Sequence, residues 1–282
     1  MLSNYKIPGF LLIALGGLFL STGGTIFKLF QTQDIWAIYF WRSFFFTPAV
    51  VIFLFFSSKN NVFQKFYDIG LIGIFCSILY ATGSGAYMFA MKNTTVANVL
   101  FIISTQTFML TIAGYFILKE KINLTTVIAI IMAAVGIYIM IGTKISNGTA
   151  LGNAFAFITP ICFTSIVIII RKFNKTDMVP AVGLSGIFCM AVGVMMCENL
   201  LINQHDLFLA FLFGSIQYAP GFICLTIGSK TTESAKVGIF AFSESIAGPI
   251  WAWMIINENP SLGVSVGGGI IFLALLLKSF KK

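Results

Sequence analysis

The sequence predicts an all-α integral membrane protein with about ten transmembrane helices arranged as two inverted five-helix repeats. Three observations predict it. Hydrophobic residues make up 58% of the chain and charged ones 9%, with a mean hydropathy of +0.97. A soluble domain carries about 25% charged residues, so lipid must be the solvent for much of this surface. The apolar residues also gather into runs of bilayer-spanning length separated by short polar gaps. Finally, the second half of the chain repeats the polar landmarks of the first at an offset of 138 positions.

The runs fall near 8–28, 35–56, 67–91, 96–118, 123–142, 150–170, 179–201, 207–228, 234–256 and 262–279. Each is close to twenty residues and none alternates with period two. An isolated strand in hydrocarbon would leave its backbone unpaired, so each run reads as a helix. Met1 to Lys6 precede an apolar stretch that continues to about Phe27 with no small-residue cleavage pattern, which reads as a retained first helix, not a signal peptide. The gaps are too short for a soluble domain. Five cysteines (Cys76, Cys162, Cys189, Cys197, Cys224) all lie inside apolar runs without metal-ligand spacing and read as packing residues.

The net charge of +8 marks topology, not nucleic acid, because the basic residues sit mostly in the gaps. With a cytoplasmic N-terminus, roughly twelve of them fall in cytoplasmic segments and three on the opposite face. That bias places both termini in the cytoplasm of a cytoplasmic (inner) membrane.

The repeat holds residue by residue. Tyr80, Ala81 and Gly83 fall on Tyr218, Ala219 and Gly221. Lys92, Thr94, Ala97 and Val99 fall on Lys230, Thr232, Ala235 and Val237; Gln106 falls on Glu244, and Glu120 on Glu258. Each half holds about five spans. An odd number of crossings makes the second half enter from the other side, so the halves are inverted, as in many secondary transporters.

The A-x-V pattern near the start of the fourth run, its polar centre, the closing Ile117-Leu118-Lys119-Glu120-Lys121-Ile122 and the second copy from Ser234 through Glu244 to Glu258-Asn259-Pro260 resemble the EamA family of the drug/metabolite transporter superfamily. The chain departs from the family where Ser245 and Thr107 replace a central proline, with Pro249 one turn later, and where Leu20-Ser21 replaces an opening Trp-Gly. Lys28 and Arg42 stand where the family carries Lys and Arg. The resemblance implies a first EamA-like repeat over 1–143, a second over 149–282, and a carrier of small metabolites.

Glu244 leads the candidate residues. A carboxylate at bilayer depth is costly and marks a functional site by default. It reads as a proton-titratable or cation-pairing group in a central cavity, or as a hydrogen-bonded brace between helices. Gln106, flanked by Ser104, Thr105 and Thr107, either contacts substrate or bonds across helices. Tyr80, Tyr218 and Gln217 adjoin small-residue segments that either line a cavity or pack closely, and Pro220-Gly221 can break a helix. Arg42, beside Trp41, either attracts a carboxylate or phosphate or snorkels or pairs with Asp34. The glycines of the tenth run (Gly263, Gly267, Gly268, Gly269) suit helix packing or a homodimer contact.

No phosphate-binding loop, hydrolase elbow, zinc motif or selectivity-filter signature occurs. The expected partners are the lipid bilayer and a small-molecule substrate, with no cofactor, metal or nucleic acid. The reading is a secondary transporter, not an enzyme, that moves small organic metabolites such as amino acids or drug-like compounds by alternating access, with or without proton coupling. Alternatives are a carrier for a nucleotide-like metabolite such as S-adenosylmethionine, or a lipid flippase-like protein.

Overall fold

The computed structural model describes residues 7–57, 62–93, 99, 102–141, 150–257 and 262–280. Among the described residues, ten apolar helices carry the fold, seven of them clearly of membrane-spanning length: α1 (Gly9–Leu29), α2 (Ile35–Ser57), α3 (Gly70–Asn93), α4 (Ile102–Leu118), α5 (Leu124–Ile141), α6 (Ala150–Lys172), α7 (Val179–Met196), α8 (Gln204–Ser229), α9 (Ser234–Ile256) and α10 (Leu262–Phe280). No strand occurs among the described residues. The predicted junction between halves and the Glu258–Pro260 turn lie outside the described residues.

The third predicted run is a single helix that starts three residues late, at Gly70. A short helix, Val62–Asp68, precedes α3, and Gly70 turns the chain between them at φ +55°, a conformation that favours glycine. The outward surface is apolar: Phe55, Phe56, Leu71, Phe116 and Leu124 are each at least 70% exposed. Water would penalise such a surface, and lipid does not.

The helices pack in exchanged pairs. The α3–α6 contact recurs as α8–α1, α4–α6 as α9–α1, and α3–α7 as α8–α2, while α2–α7, α4–α9 and α5–α10 pair with their own counterparts. Adding five to a helix number therefore maps the contacts onto one another. The backbone repeats the relation. Lys119 (φ 56°) and Asn257 (φ 55°), which lie 138 positions apart, are the non-glycine residues in the left-handed region among those described. At the first, the Glu120 N–H returns to the Gly114 carbonyl at 3.1 Å and ends α4 in a Schellman-type cap.

Close crossings need small residues. A Cβ on Gly238 of α9 would sit 2.8 Å from the Thr107 Cα of α4. Gly136 of α5 meets the Gly267 carbonyl of α10, so part of the α10 glycine face is used within the chain, while Gly268 and Gly269 face open space.

Candidate functional site

Three of the long helices are broken, and the breaks surround one cavity. α1 is interrupted at Thr22, α4 at Thr105 and α9 at Phe242. The last two are repeat mates within one residue. They make Gln106 and Glu244 first-turn residues of the half-helices Gln106–Leu118 and Ser243–Ile256. The break before Glu244 is a single residue, Phe242, and the N–H groups at this cap still reach the Ile239 and Phe240 carbonyls. Pro249 introduces no break: helix runs unbroken from Ser243 to Ile256.

α8 contributes through a different device. Leu212–Tyr218 forms a π-helical stretch, closed by the Ala219 N–H on the Gly214 carbonyl. Pro220 explains why α-helix gives way here. It has no N–H for the Ile216 carbonyl, so the turn widens to i→i−5 bonding. Phe213, Gln217 and Tyr218, four and five residues apart, then point the same way into the cavity. Gly214 is required on the opposite side, where a Cβ would come 2.9 Å from the Phe46 backbone nitrogen of α2.

The cavity, open on part of its boundary, takes its walls from α1, α2, α3, α4, α6, α8 and α9. It brings together Glu244, Gln106, Tyr80, Tyr218, Gln217 and Arg42. Trp41, the seventh sequence candidate, is elsewhere. Its indole N–H donates to the Leu200 carbonyl at 2.7 Å and its ring packs edge-on to Phe40 and Phe44. Adjacent residues on a helix point about 100° apart, so Trp41 and Arg42 cannot share a wall.

Arg42 neither snorkels nor pairs with Asp34. It is 1% exposed. The Asp34 carboxylate instead accepts the Trp36 and Glu198 backbone N–H groups. The Arg42 Nη2 donates to Ser84 Oγ at 2.5 Å, and its guanidinium lies over the rings of Tyr218 (4.3 Å), Tyr39 (5.1 Å) and Phe213 (5.2 Å). Its Nε has no hydrogen-bond partner. No carboxylate forms an ion pair with it among the described residues.

Glu244 is partly buried and, with Arg42, is one of two formally charged side chains on the wall. The two do not form an ion pair, and Tyr87 lies within electrostatic reach of both. Gln106 is buried, while Gln217 donates Nε2 to the Leu20 carbonyl at the α1 break and leaves Oε1 unpartnered. Thr226 Oγ1 donates to the Phe222 carbonyl (2.7 Å), so it accepts the Tyr80 hydroxyl at 2.8 Å. That commits the Tyr80 oxygen to scaffolding and leaves its ring to the wall.

Sequence reasoning missed Tyr39, Ser84, Tyr87, Phe213 and Phe222. Tyr39 lies one helical turn before Arg42, and Phe213 and Phe222 lie one turn either side of Gln217 and Tyr218. Helical spacing from the known candidates would have found them.

Such a bundle, with discontinuous helices around a polar-and-aromatic cavity, is the architecture of many multi-pass membrane transporters. Residues 7–142, just under half of the chain, match the EamA-like transporter family, in line with the resemblance read in the sequence. An uncharacterized transporter of Clostridium kluyveri is 23% identical over 224 residues, which is 74% of this chain and 70% of that protein. A solved crystal structure superposes with a TM-score of 0.82 at 12% identity, over 95% of this chain and 96% of the other, which shows a shared fold.

Proposed function

We propose that the protein is a secondary carrier, not an enzyme, that moves a small organic metabolite across the cytoplasmic membrane by alternating access, with both termini in the cytoplasm. The five-helix units 1–143 and 149–282 rock against each other about the cavity. One observation carries the reading: the cavity walls come from both halves and converge on the paired breaks at Gln106 and Glu244. Relative motion of the halves changes such a site on two sides at once.

Glu244 supplies the coupling. A carboxylate that can take up or release a proton as the cavity changes face links solute movement to a proton gradient. Each charge moved across about 100 mV gains about 2.3 kcal/mol. Purified protein in liposomes, screened with labelled amino acids and nucleosides with and without a pH gradient, tests the proposal. Saturable flux of an organic solute is expected, and absence of flux for every solute overturns the carrier reading.

A further inference from the structure

Between the cavity and the end of the bundle where α4 and α6 finish, the helices present the same three layers in the same order. On α4, Gln106 lines the cavity, Leu110 is buried one turn further on, and Glu120 follows the last turn. On α6, Ile166 lines the cavity, Val167 is buried beside it, and Arg171 stands in the last turn. α9 runs the opposite way and carries the order in reverse: Glu244 and Ala241, then Phe240 and Val237, then Ser234 at its start. The middle layer is an apolar plug of Ile13, Leu110, Val167, Val237 and Phe240, which shares Leu225 and Ala241 with the cavity wall.

The end layer is polar. Glu120 Oε2 accepts the Ser234 N–H at 2.9 Å, and Ser234 Oγ donates to Oε1 at 3.3 Å. Arg171 donates to the same carboxylate and, through Nη1, to the Thr232 carbonyl. α9 takes its cap from across the boundary between the halves. Its own N-cap residue, Glu233, makes no side-chain hydrogen bond to the helix start and pairs with Lys236 at 3.2 Å instead. Caps are ordinarily supplied by the residue next to the helix. Here a carboxylate from the first half does that work, so the start of α9 is satisfied from within the chain only while the halves touch at this end. Water can replace these bonds as the halves part, at small net cost. The plug behind them is apolar, and wetting it is unfavourable.

Resting on the carrier reading of this cavity, we propose that Glu120, Arg171 and the α8–α9 turn form a gate latch that holds the plug shut at this end of the bundle. Neither charged side chain lines the cavity. They are positioning residues, and they set the face from which the cavity is reached.

Cys162 lines the cavity and serves as the reporter. The test uses the whole chain in membranes, with Cys76, Cys189, Cys197 and Cys224 changed to alanine, folding checked by thermal unfolding, and a membrane-impermeant maleimide added from one face or the other. In this parent, labelling from the Glu120 face is expected to be at least about tenfold slower than from the opposite face. Arg171→Gln and Glu120→Gln each raise labelling from the Glu120 face about tenfold and do not raise it from the other, whereas loss of a mere brace would loosen both. Gly114→Ala reaches the same end by crowding, because its Cβ would lie 2.9 Å from the Ser234 Cβ and 2.7 Å from Glu120 Oε2. Equal labelling from the two faces of the parent overturns the seal and needs no variant. Folded variants labelled from the Glu120 face within about twofold of the parent overturn the latch. Liposome flux without sided labelling removes the latch and leaves the carrier reading. Sided labelling that responds to the variants, with no flux of any solute, does the reverse.

Discussion

Gln217 closes the break in α1: its Nε2 donates to the Leu20 carbonyl at 2.9 Å across the α1–α8 contact. The interruption at Thr22 frees backbone carbonyls at bilayer depth, where no water can satisfy them. Trp251 supports the same region from α9 by donating to Ser21 Oγ at 2.9 Å. Gln217→Leu removes this donor and leaves the Leu20 carbonyl with the backbone N–H of the helix end alone. The expected loss is about 0.5–1.5 kcal/mol, read as a lower midpoint of thermal unfolding in detergent.

The π-helical stretch rests on Pro220. In Pro220→Ala the Ile216 carbonyl regains a donor at i+4, and the stretch can tighten to α-helical bonding. That rotates Phe213 and Gln217 relative to Tyr218 and dismantles the shared wall. The expected outcome is unchanged or higher thermal stability with ligand affinity reduced about tenfold or more. Calorimetry and unfolding on the same sample check both halves of the prediction.

The helices and the repeat were legible because membrane solvent forces apolar runs of fixed length, and because Gln106 and Glu244 interrupt otherwise apolar segments. Six of the seven candidate side chains meet in one cavity for the same reason: polar groups avoid lipid and so point inward. Facing direction was not legible. Arg42 and Trp41 are adjacent letters, but one lines the cavity and the other caps Leu200. The breaks were misplaced too. Pro249 lies within unbroken helix, while the interruption falls at Phe242, beside Ser243, whose hydroxyl donates to the Ala14 carbonyl of α1 at 2.9 Å. That contact lies 229 residues away in sequence, and no local pattern reports it.

Glu120 and Arg171 tie the two halves at one end of the bundle. The Arg171 Nε and Nη2 approach Glu120 Oε1 at 2.6 and 2.5 Å, and its Nη1 donates to the Thr232 carbonyl. Glu120 Oε2 accepts the Ser234 N–H at 2.9 Å, at the start of α9. One carboxylate and one guanidinium thus join α4, α6 and the α8–α9 turn. Both side chains are more than four-fifths shielded, so removing one partner leaves a poorly solvated charge. Arg171→Gln is expected to cost about 2–4 kcal/mol. Arg171→Lys recovers only part, because an ammonium cannot make the forked contact and reach Thr232 together. Unfolding midpoints of the two variants test the order.

Glu244→Gln separates coupling from scaffolding. The amide keeps the size and hydrogen-bonding capacity of the side chain but takes up no proton. The other ionisable side chains on the wall are Arg42, Tyr80, Tyr87, Tyr218 and Cys162. Arginine stays charged throughout the working range, and an ordinary tyrosine or thiol titrates well above neutral pH. Glu244 is therefore the wall group placed to carry a proton across. In the wild type, an imposed pH gradient changes the rate of solute flux in liposomes. In Glu244→Gln the ratio of flux with the gradient to flux without it falls to about one, while exchange of labelled for unlabelled solute persists at reduced affinity. A variant that retains the gradient response would move the coupling away from this carboxylate.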